Sequence, residues 1–254
     1  RGPTDIAGVG NYQLNVQAPI AGAWGSVNEA VLNMYFLDSG AYPNTTLYPD
    51  AKNAKYDWIK DNQVEYYKNL SVANQGKQIA PQPAVMFIHI PLQEFNYSSA
   101  DAANVFGAKN EAVSSSAVHS SIFDALVERN EVKALFVGHD HINEYCYKNQ
   151  GVQLCYGGGA GFGIAYGAAA FPRRARVIEW SVDSDNKRTI KSWKRLFGSV
   201  NDTCCHETLF GTTAASATAS VAPGTTTPAK SGAVAIDLGL PLLIVATAVG
   251  FMLN

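Results

Sequence analysis

The sequence predicts a mixed α/β fold in which strand–helix units come first and a run of consecutive strands follows. Three observations predict it. The compact apolar runs 84–91 and 132–138 are typical of strands that are buried in a sheet. Segments 56–71 and 111–130 place apolar residues at helical spacing, each before one of those runs. After residue 150 several strand-like stretches follow one another with turns between them, which indicates that antiparallel strands complete a sheet.

The individual elements follow from local pattern. A strand over 31–40 ends in a turn, and later strands are expected over 152–158, 175–183 and 188–196. A hairpin turn is expected around 149–151, where Asn, Gln and Gly follow one another. We expect the arginines at the start of the strand over 175–183 to be solvated, with contact to phosphate as the alternative: Arg173, Arg174 and Arg176.

Length and composition bound the class of protein. The chain has 254 residues, is 47% hydrophobic and carries a formal charge of −2, which suffices for one sizeable core. The near-neutral charge gives no electrostatic reason to expect a nucleic-acid partner or an anionic membrane surface. Composition divides the chain into a folded body over 1–210, a stalk over 211–235 and an apolar tail over 236–254.

The stalk and tail form a pattern of their own. The stalk is rich in Thr, Ser, Ala, Gly and Pro, so it buries little apolar surface and is expected to be disordered. Small residues, a spacer and a terminal apolar tail are typical of a GPI-anchor signal, with Ser231 as the attachment residue. A C-terminal transmembrane helix or a chance apolar end are the alternatives, although the apolar run is shorter than the roughly 20 residues that a spanning helix needs.

Sequons and cysteines bear on the compartment. Four N-x-S/T sequons favour the secretory pathway and an extracellular or cell-surface, membrane-anchored glycoprotein: Asn44, Asn69, Asn96 and Asn201. In an oxidising compartment Cys146 and Cys155 are expected to form a disulfide across the hairpin. Two buried free thiols are the alternative.

Three histidines follow apolar strands. His139 and His141 lie in "GHDH" after the strand over 132–137, and His89 lies in "FIHIP". Ligand sites form at the carboxyl ends of strands in α/β sheets, and imidazole is the commonest metal ligand. The pattern therefore predicts a shared metal site, against the alternatives of polar turn residues and a buried core histidine. Asp140 either orients a neighbouring imidazole or simply occupies the turn.

These residues carry a resemblance to a known family. "FIHIPLQEF", "FVGHDHINEYC", "LCYGGGAGFGIAYG" and "RRARVIEW" resemble the second half of calcineurin-like metallophosphoesterases, in the purple-acid-phosphatase-like branch, over about residues 8–196. The resemblance implies the C-terminal half of a two-sheet α/β/β/α sandwich. It also implies two metal ions (iron, zinc or manganese) and hydrolysis of a phosphate-ester substrate. Carried over, His89 and His139 hold one ion and His141 holds the other.

The chain departs from the family in its first half. The D-x-H, G-D and G-N-H elements, which supply the bridging aspartate and other ligands, do not occur in it. We therefore expect the C-terminal part of a longer precursor, with exposed sheet edges and no phosphatase activity by itself; the catalytic residues would lie in the missing half. The alternative is a non-catalytic, surface-anchored glycoprotein that keeps the phosphoesterase fold.

Overall fold

The structure, a computed structural model, describes most of the predicted body. The residues described are 2–22, 25–75, 82–162, 168, 170–183, 185, 187–198, 203–211 and 242–244. The glycosylation sequon at Asn201 and the anchor residue Ser231 lie outside them, as does the stalk after residue 211. No helix within the described ranges is long and apolar enough to cross a membrane.

Two sheets form the body. The first has the strand order β1-β2-β3-β5-β7-β6-β4, and its strands are β1 (Tyr12–Gln17), β2 (Ala30–Phe36), β3 (Ala84–Phe87), β4 (Val105–Phe106), β5 (Val132–Val137), β6 (Cys146–Asn149) and β7 (Val152–Tyr156). The second has the order β10-β9-β8-β11, and its strands are β8 (Arg174–Val182), β9 (Arg188–Leu196), β10 (Thr203–Phe210) and β11 (Leu242–Ile244). Strands β2, β3, β5 and β7 pair in parallel, and the second sheet is antiparallel.

The first sheet is covered on both faces, which explains its continuous apolar strands. Two helices, α1 (Asp61–Gln75) and α2 (Ile122–Arg129), pack on one face, where Tyr67 and Leu126 are fully buried. The other face packs on the second sheet through residues such as Trp180 and Ile190. The described residues thus build a helix layer and two sheets, in agreement with the expected mixed α/β class.

The helix predicted over 111–130 is wrong in its first half, since α2 begins only at Ile122. Residues 107–121 form a loop, apart from a turn at its end. A side chain that follows β5 satisfies backbone groups of this loop. Asn143 Oδ1 accepts the N–H groups of Asn110 and Glu111 at 2.9 and 3.0 Å. Those donors therefore have partners without a helix. A long-range contact of this kind leaves no periodicity in the sequence.

The first helix also begins later than predicted, at Asp61 rather than at residue 56. The Lys60 N–H donates to Gln63 Oε1 at 2.8 Å, a side-chain bond at the start of the helix. The preceding segment is instead tied to another turn, because the Asp57 N–H donates to the Ala41 carbonyl at 3.2 Å.

Arg174 and Arg176 are not solvated, so that prediction is wrong for both. They are 7% and 2% exposed, and they form ion pairs with Glu144 and Glu207 respectively. Arg176 also donates to the Tyr156 carbonyl at 2.8 Å. A charge buried between two sheets is tolerated because it is paired and hydrogen-bonded.

Strands β6 and β7 form the expected hairpin. Gln150 and Gly151 both have positive φ, 46° and 89°, as the tight turns of two-residue hairpins require. Cys146 and Cys155 are directly opposed across the ladder, and a disulfide joins their sulfur atoms at 2.01 Å. The covalent link therefore lies in the hairpin that follows the "GHDH" loop.

Candidate metal-binding site

Parallel pairing brings two of the three predicted histidines together. The ladder between β3 and β5 pairs Phe87 with Phe136. It continues past the strands, because the Gly138 N–H donates to the His89 carbonyl at 3.1 Å. His89 and His139 therefore lie side by side at the carboxyl edge of the first sheet, where ligand sites of α/β sheets form.

Glycine at position 138 leaves space for the histidine on the neighbouring strand. A Cβ atom at Gly138 would lie 3.2 Å from His89 Nδ1, so any side chain there would push the imidazole aside. The next residue, His139, adopts a left-handed conformation with φ of 69°. This conformation is rare for a residue with a side chain and costs on the order of 1–2 kcal/mol. It sets the direction in which the His139 ring leaves the strand.

The two imidazoles converge through one nitrogen each. His89 Nε2 and His139 Nδ1 are 3.3 Å apart, and the rings are nearly perpendicular at 83°. Two nitrogens bound to one tetrahedral zinc at 2.0–2.1 Å are separated by about 3.3 Å. The spacing thus fits two ligands of a single ion. His139 Nε2 is buried and makes no hydrogen bond within the described part of the chain.

The third histidine does not complete a larger cluster. His141 lies close enough for its charge to lower the pKa values of His89 and His139. Yet among the residues that the structure describes, no group of three or more His, Cys, Asp or Glu side chains converges as a metal site. The chain therefore fits part of one ion's coordination, and a pair of ions would need further ligands.

Burial keeps both converging imidazoles neutral. Desolvation, followed by the nearby His89, lowers the pKa of His139 to about 4. Desolvation, followed by the charge of His141, lowers the pKa of His89 as well, although part of the His89 side chain remains exposed. At neutral pH each ring is therefore uncharged, which is the form that binds a metal. Without metal, the two facing nitrogens lie within hydrogen-bonding distance of each other.

Asp140 fixes the loop through groups other than a histidine. Its Oδ2 accepts the Tyr156 hydroxyl proton at 2.6 Å and the Ser114 N–H at 3.1 Å. The carboxylate is only 5% exposed, and burial together with its charge raises the pKa of Tyr156 above the usual range. Asp140 thereby ties the "GHDH" loop to β7 and to the loop over 107–121. Its charge still acts on the imidazoles, since it partly raises the pKa values of His89 and His139.

Two groups at the site were not predicted from the sequence. Ser39 Oγ accepts the N–H groups of His89 and Ile90 at 3.2 and 2.9 Å and so holds the chain after β3. The Tyr56 ring contacts His139 edge to face, with centroids 4.3 Å apart. Ser39 follows β2, which is parallel to β3, so its place at the carboxyl edge was a signal available in the sequence. Tyr56 lies in a non-helical segment that carried no such signal.

Three of the four predicted glycosylation sites are described, and all three side chains are exposed: Asn44, Asn69 and Asn96. Two of them make local contacts through the amide oxygen. Asn44 Oδ1 accepts the N–H groups of Thr46 and Leu47, and Asn96 Oδ1 accepts a hydrogen bond from Lys109 at 3.2 Å. These amides therefore lie at the surface, where a glycan would have room.

Comparison with known proteins adds the evolutionary relationship. The chain is 39% identical over 207 residues to probable inactive purple acid phosphatase 29 of Arabidopsis thaliana, which covers 75% of this chain and 50% of that protein. It is 33% identical over 205 residues to phosphatase DCR2 of Saccharomyces cerevisiae, which covers 77% of this chain and 33% of that protein. No protein-family model matches the chain.

A solved structure of a dimetal phosphatase from Danio rerio aligns at a TM-score of 0.45 and 11% identity, over 78% of this chain and 60% of that one. The chain spans about half the length of the Arabidopsis relatives it matches, 50% of probable inactive purple acid phosphatase 29 and 49% of probable inactive purple acid phosphatase 14. The sequence similarity covers the strands that carry the predicted histidines and most of the body. By sequence the chain is thus a relative of the Arabidopsis proteins named purple acid phosphatases, over about half of their length, and of the yeast phosphatase over a third.

Proposed function

We propose that this chain supplies the histidine-bearing half of a metal-dependent phosphoesterase. The observation that carries the proposal is the 3.3 Å approach of His89 Nε2 and His139 Nδ1 at the carboxyl edge of the first sheet. It is supported by the similarity to a yeast protein named as a phosphatase. The reaction proposed is hydrolysis of a phosphate ester at a centre of two metal ions, of iron, zinc or manganese.

Each residue has a distinct role in the proposal. His89 and His139 hold one ion, and His141 contributes to the second. Asp140 positions the loop through its hydrogen bond with Tyr156. Bound metal would supply a Lewis acid for phosphate oxygens and lower the pKa of water.

The proposal includes inactivity of the 254-residue chain by itself. Two cations placed close together need anionic ligands, and the two carboxylates whose charges act on His89, Asp38 and Asp140, already accept hydrogen bonds. Asp38 accepts the N–H groups of Gly40 and Val9 at 2.8 and 2.7 Å, and Asp140 is bonded to Tyr156 and Ser114. We therefore expect this chain to bind one ion without turning over a simple aryl phosphate.

Metal titration tests the site directly. Isothermal titration calorimetry with zinc should show one site in the 254-residue chain. His89→Ala and His139→Ala should each weaken it at least about 10-fold, because a ligand is lost outright. His119→Ala is the matched control, because His119 is an exposed histidine outside the pair. Its Nε2 lies 2.8 Å from Glu94 Oε1. Equal affinity in all four proteins would contradict the proposal.

A second candidate function is a non-catalytic, surface-anchored glycoprotein with the phosphoesterase fold. The specific observation in its favour is that the Arabidopsis relatives are themselves named probable inactive phosphatases. In either case we propose entry into the secretory pathway and a membrane anchor after the stalk. Expression of the precursor in a eukaryotic cell tests for glycans and distinguishes a GPI anchor from a transmembrane helix. Glycosidase should increase gel mobility, and phosphatidylinositol-specific phospholipase C should release a GPI-anchored protein but leave a transmembrane one.

A further inference from the structure

A row of aromatic rings leads from solvent to the converging histidines. Tyr42 is 75% exposed, and its ring lies 6.4 Å from that of Tyr56 with only 21° between the planes. Tyr56 in turn meets the His139 ring at 4.3 Å. Tyr42 thus presents an exposed aromatic ring one ring away from His139.

The backbone holds the two tyrosines in place. The Asp57 N–H donates to the Ala41 carbonyl at 3.2 Å, which ties together the two segments that carry the rings. The Tyr56 carbonyl accepts the Ser116 hydroxyl proton at 2.8 Å. Hydrogen bonds of the backbone therefore hold the two segments that carry the rings.

A cation lies at the same place. Lys55 is exposed, and its Nζ is 4.9 Å from the centre of the Tyr56 ring. Its positive charge is near enough to His139 to contribute to lowering the pKa of that imidazole. An ammonium group and aromatic faces thus border the histidine pair together.

We infer that Tyr42, Tyr56 and Lys55 form a subsite for the leaving group of phosphate monoesters that carry a planar aromatic ring. The inference rests on the proposed function, because it names the substrate class of the same site. The phosphoryl group would lie at the histidine pair, with Lys55 beside its oxygens. The ring of the leaving group would stack on the exposed face of Tyr42, since aromatic rings attract one another through offset or edge contacts.

Phosphonates test the inference without turnover, because their carbon–phosphorus bond is not hydrolysed. Phenylphosphonate and methylphosphonate present the same headgroup and differ in the ring. Titration calorimetry of the 254-residue chain with excess zinc should give phenylphosphonate a dissociation constant roughly 2- to 10-fold lower. Tyr42→Ala should abolish that preference and leave methylphosphonate binding as it was, whereas Tyr42→Phe should keep the preference.

Phe106→Ala is the matched control. Phe106 is another exposed aromatic residue, 55% exposed, on β4 at the opposite edge of the first sheet from β1. It should change neither ligand's affinity. Binding of both phosphonates with equal affinity would overturn the inference while the metal-dependent phosphate site stands. Failure of both to bind, with zinc bound, would overturn the inference, because the chain would then offer no phosphoryl site beside the tyrosines; the metal titration tests the proposed function separately. A preference that survives Tyr42→Ala would show that the ring binds elsewhere, which also overturns it.

Discussion

Replacing Tyr156 by phenylalanine removes the hydroxyl that holds Asp140 in the histidine loop. The Tyr156 side chain is fully buried, and its hydroxyl donates to Asp140 Oδ2 at 2.6 Å. Phenylalanine keeps the ring and its packing and removes the hydroxyl, which also has side-chain hydrogen bonds with Tyr145 and Asn143. Asp140 is only 5% exposed, and its Oδ2 would then keep the hydrogen bond from the Ser114 N–H.

The expected cost follows from the charge of the acceptor. Hydrogen bonds to charged groups contribute about 1.5–3 kcal/mol, and neutral ones about 0.5–1.5 kcal/mol. Tyr145 is the neutral counterpart, since it is also fully buried and its hydroxyl donates to the Phe95 carbonyl at 2.8 Å. Tyr156→Phe should therefore reduce the free energy of unfolding by about 1 kcal/mol more than Tyr145→Phe. For a chain of this size that difference corresponds to about 2–4 °C in Tm.

Urea denaturation followed by circular dichroism measures both variants under the same conditions. Zinc affinity provides a second readout, because the Asp140 bond positions the loop of His139. Tyr156→Phe should weaken zinc binding more than Tyr145→Phe, because the Tyr145 hydroxyl reaches Asp140 only through Tyr156. Equal stabilities of the two variants, together with equal zinc affinities, would refute the reasoning that Asp140 anchors the loop.

Three further predictions concern the same region. Gly138→Ala should weaken zinc binding several-fold, because the new Cβ lies 3.2 Å from His89 Nδ1; calorimetry that shows unchanged affinity would contradict this. Replacing Cys146 and Cys155 together by alanine should cost about 2–3 kcal/mol in urea, for a link of sequence separation 9, and a smaller loss than 1 kcal/mol would argue against a stabilising disulfide. Without metal, His139 should have a pKa near 6.5 in the unfolded chain, whereas burial lowers its pKa in the folded chain to about 4. The unfolded chain therefore binds the proton first as the pH falls. The free energy of unfolding should thus fall by about 1–2 kcal/mol between pH 6.5 and pH 4. His139→Gln should flatten that slope, and an equal slope in both proteins in EDTA would count against it.

Elements with a complete local signal were predictable from the sequence. The strand β5 and the strand β9 have the expected bounds to within a residue, because each is a short run between clear turn residues. The hairpin of β6 and β7 follows from Gln150 and Gly151, which adopt the positive φ values that its turn needs. The convergence of His89 and His139 follows from the rule that parallel strands end at one edge.

Elements that depend on distant contacts were not predictable. The loop over 107–121 has a helical apolar pattern, yet Asn143 and Asp140 bind its backbone N–H groups. Strand β10 was missed because its ladder shifts register between Cys204 and Glu207, which breaks the alternation that marks a strand. The burial of Arg176 depends on Glu207 of that same missed strand.

The apolar tail stays a prediction for a related reason. Only Leu242–Ile244 of the segment over 236–254 is described, as a strand beside β8. A membrane or anchor signal is recognised by cellular machinery, so its role does not follow from contacts within the chain. The release experiment with phospholipase C addresses it independently of the fold.

The central claim is that His89 and His139 bind one metal ion together. X-ray diffraction of zinc-soaked crystals of the chain, with data on both sides of the zinc absorption edge, locates the metal without assuming its ligands. The account predicts one anomalous peak about 2.0–2.1 Å from His89 Nε2 and from a ring nitrogen of His139. A zinc peak at another place in the chain, such as near His206, with none between these two imidazoles, would contradict it.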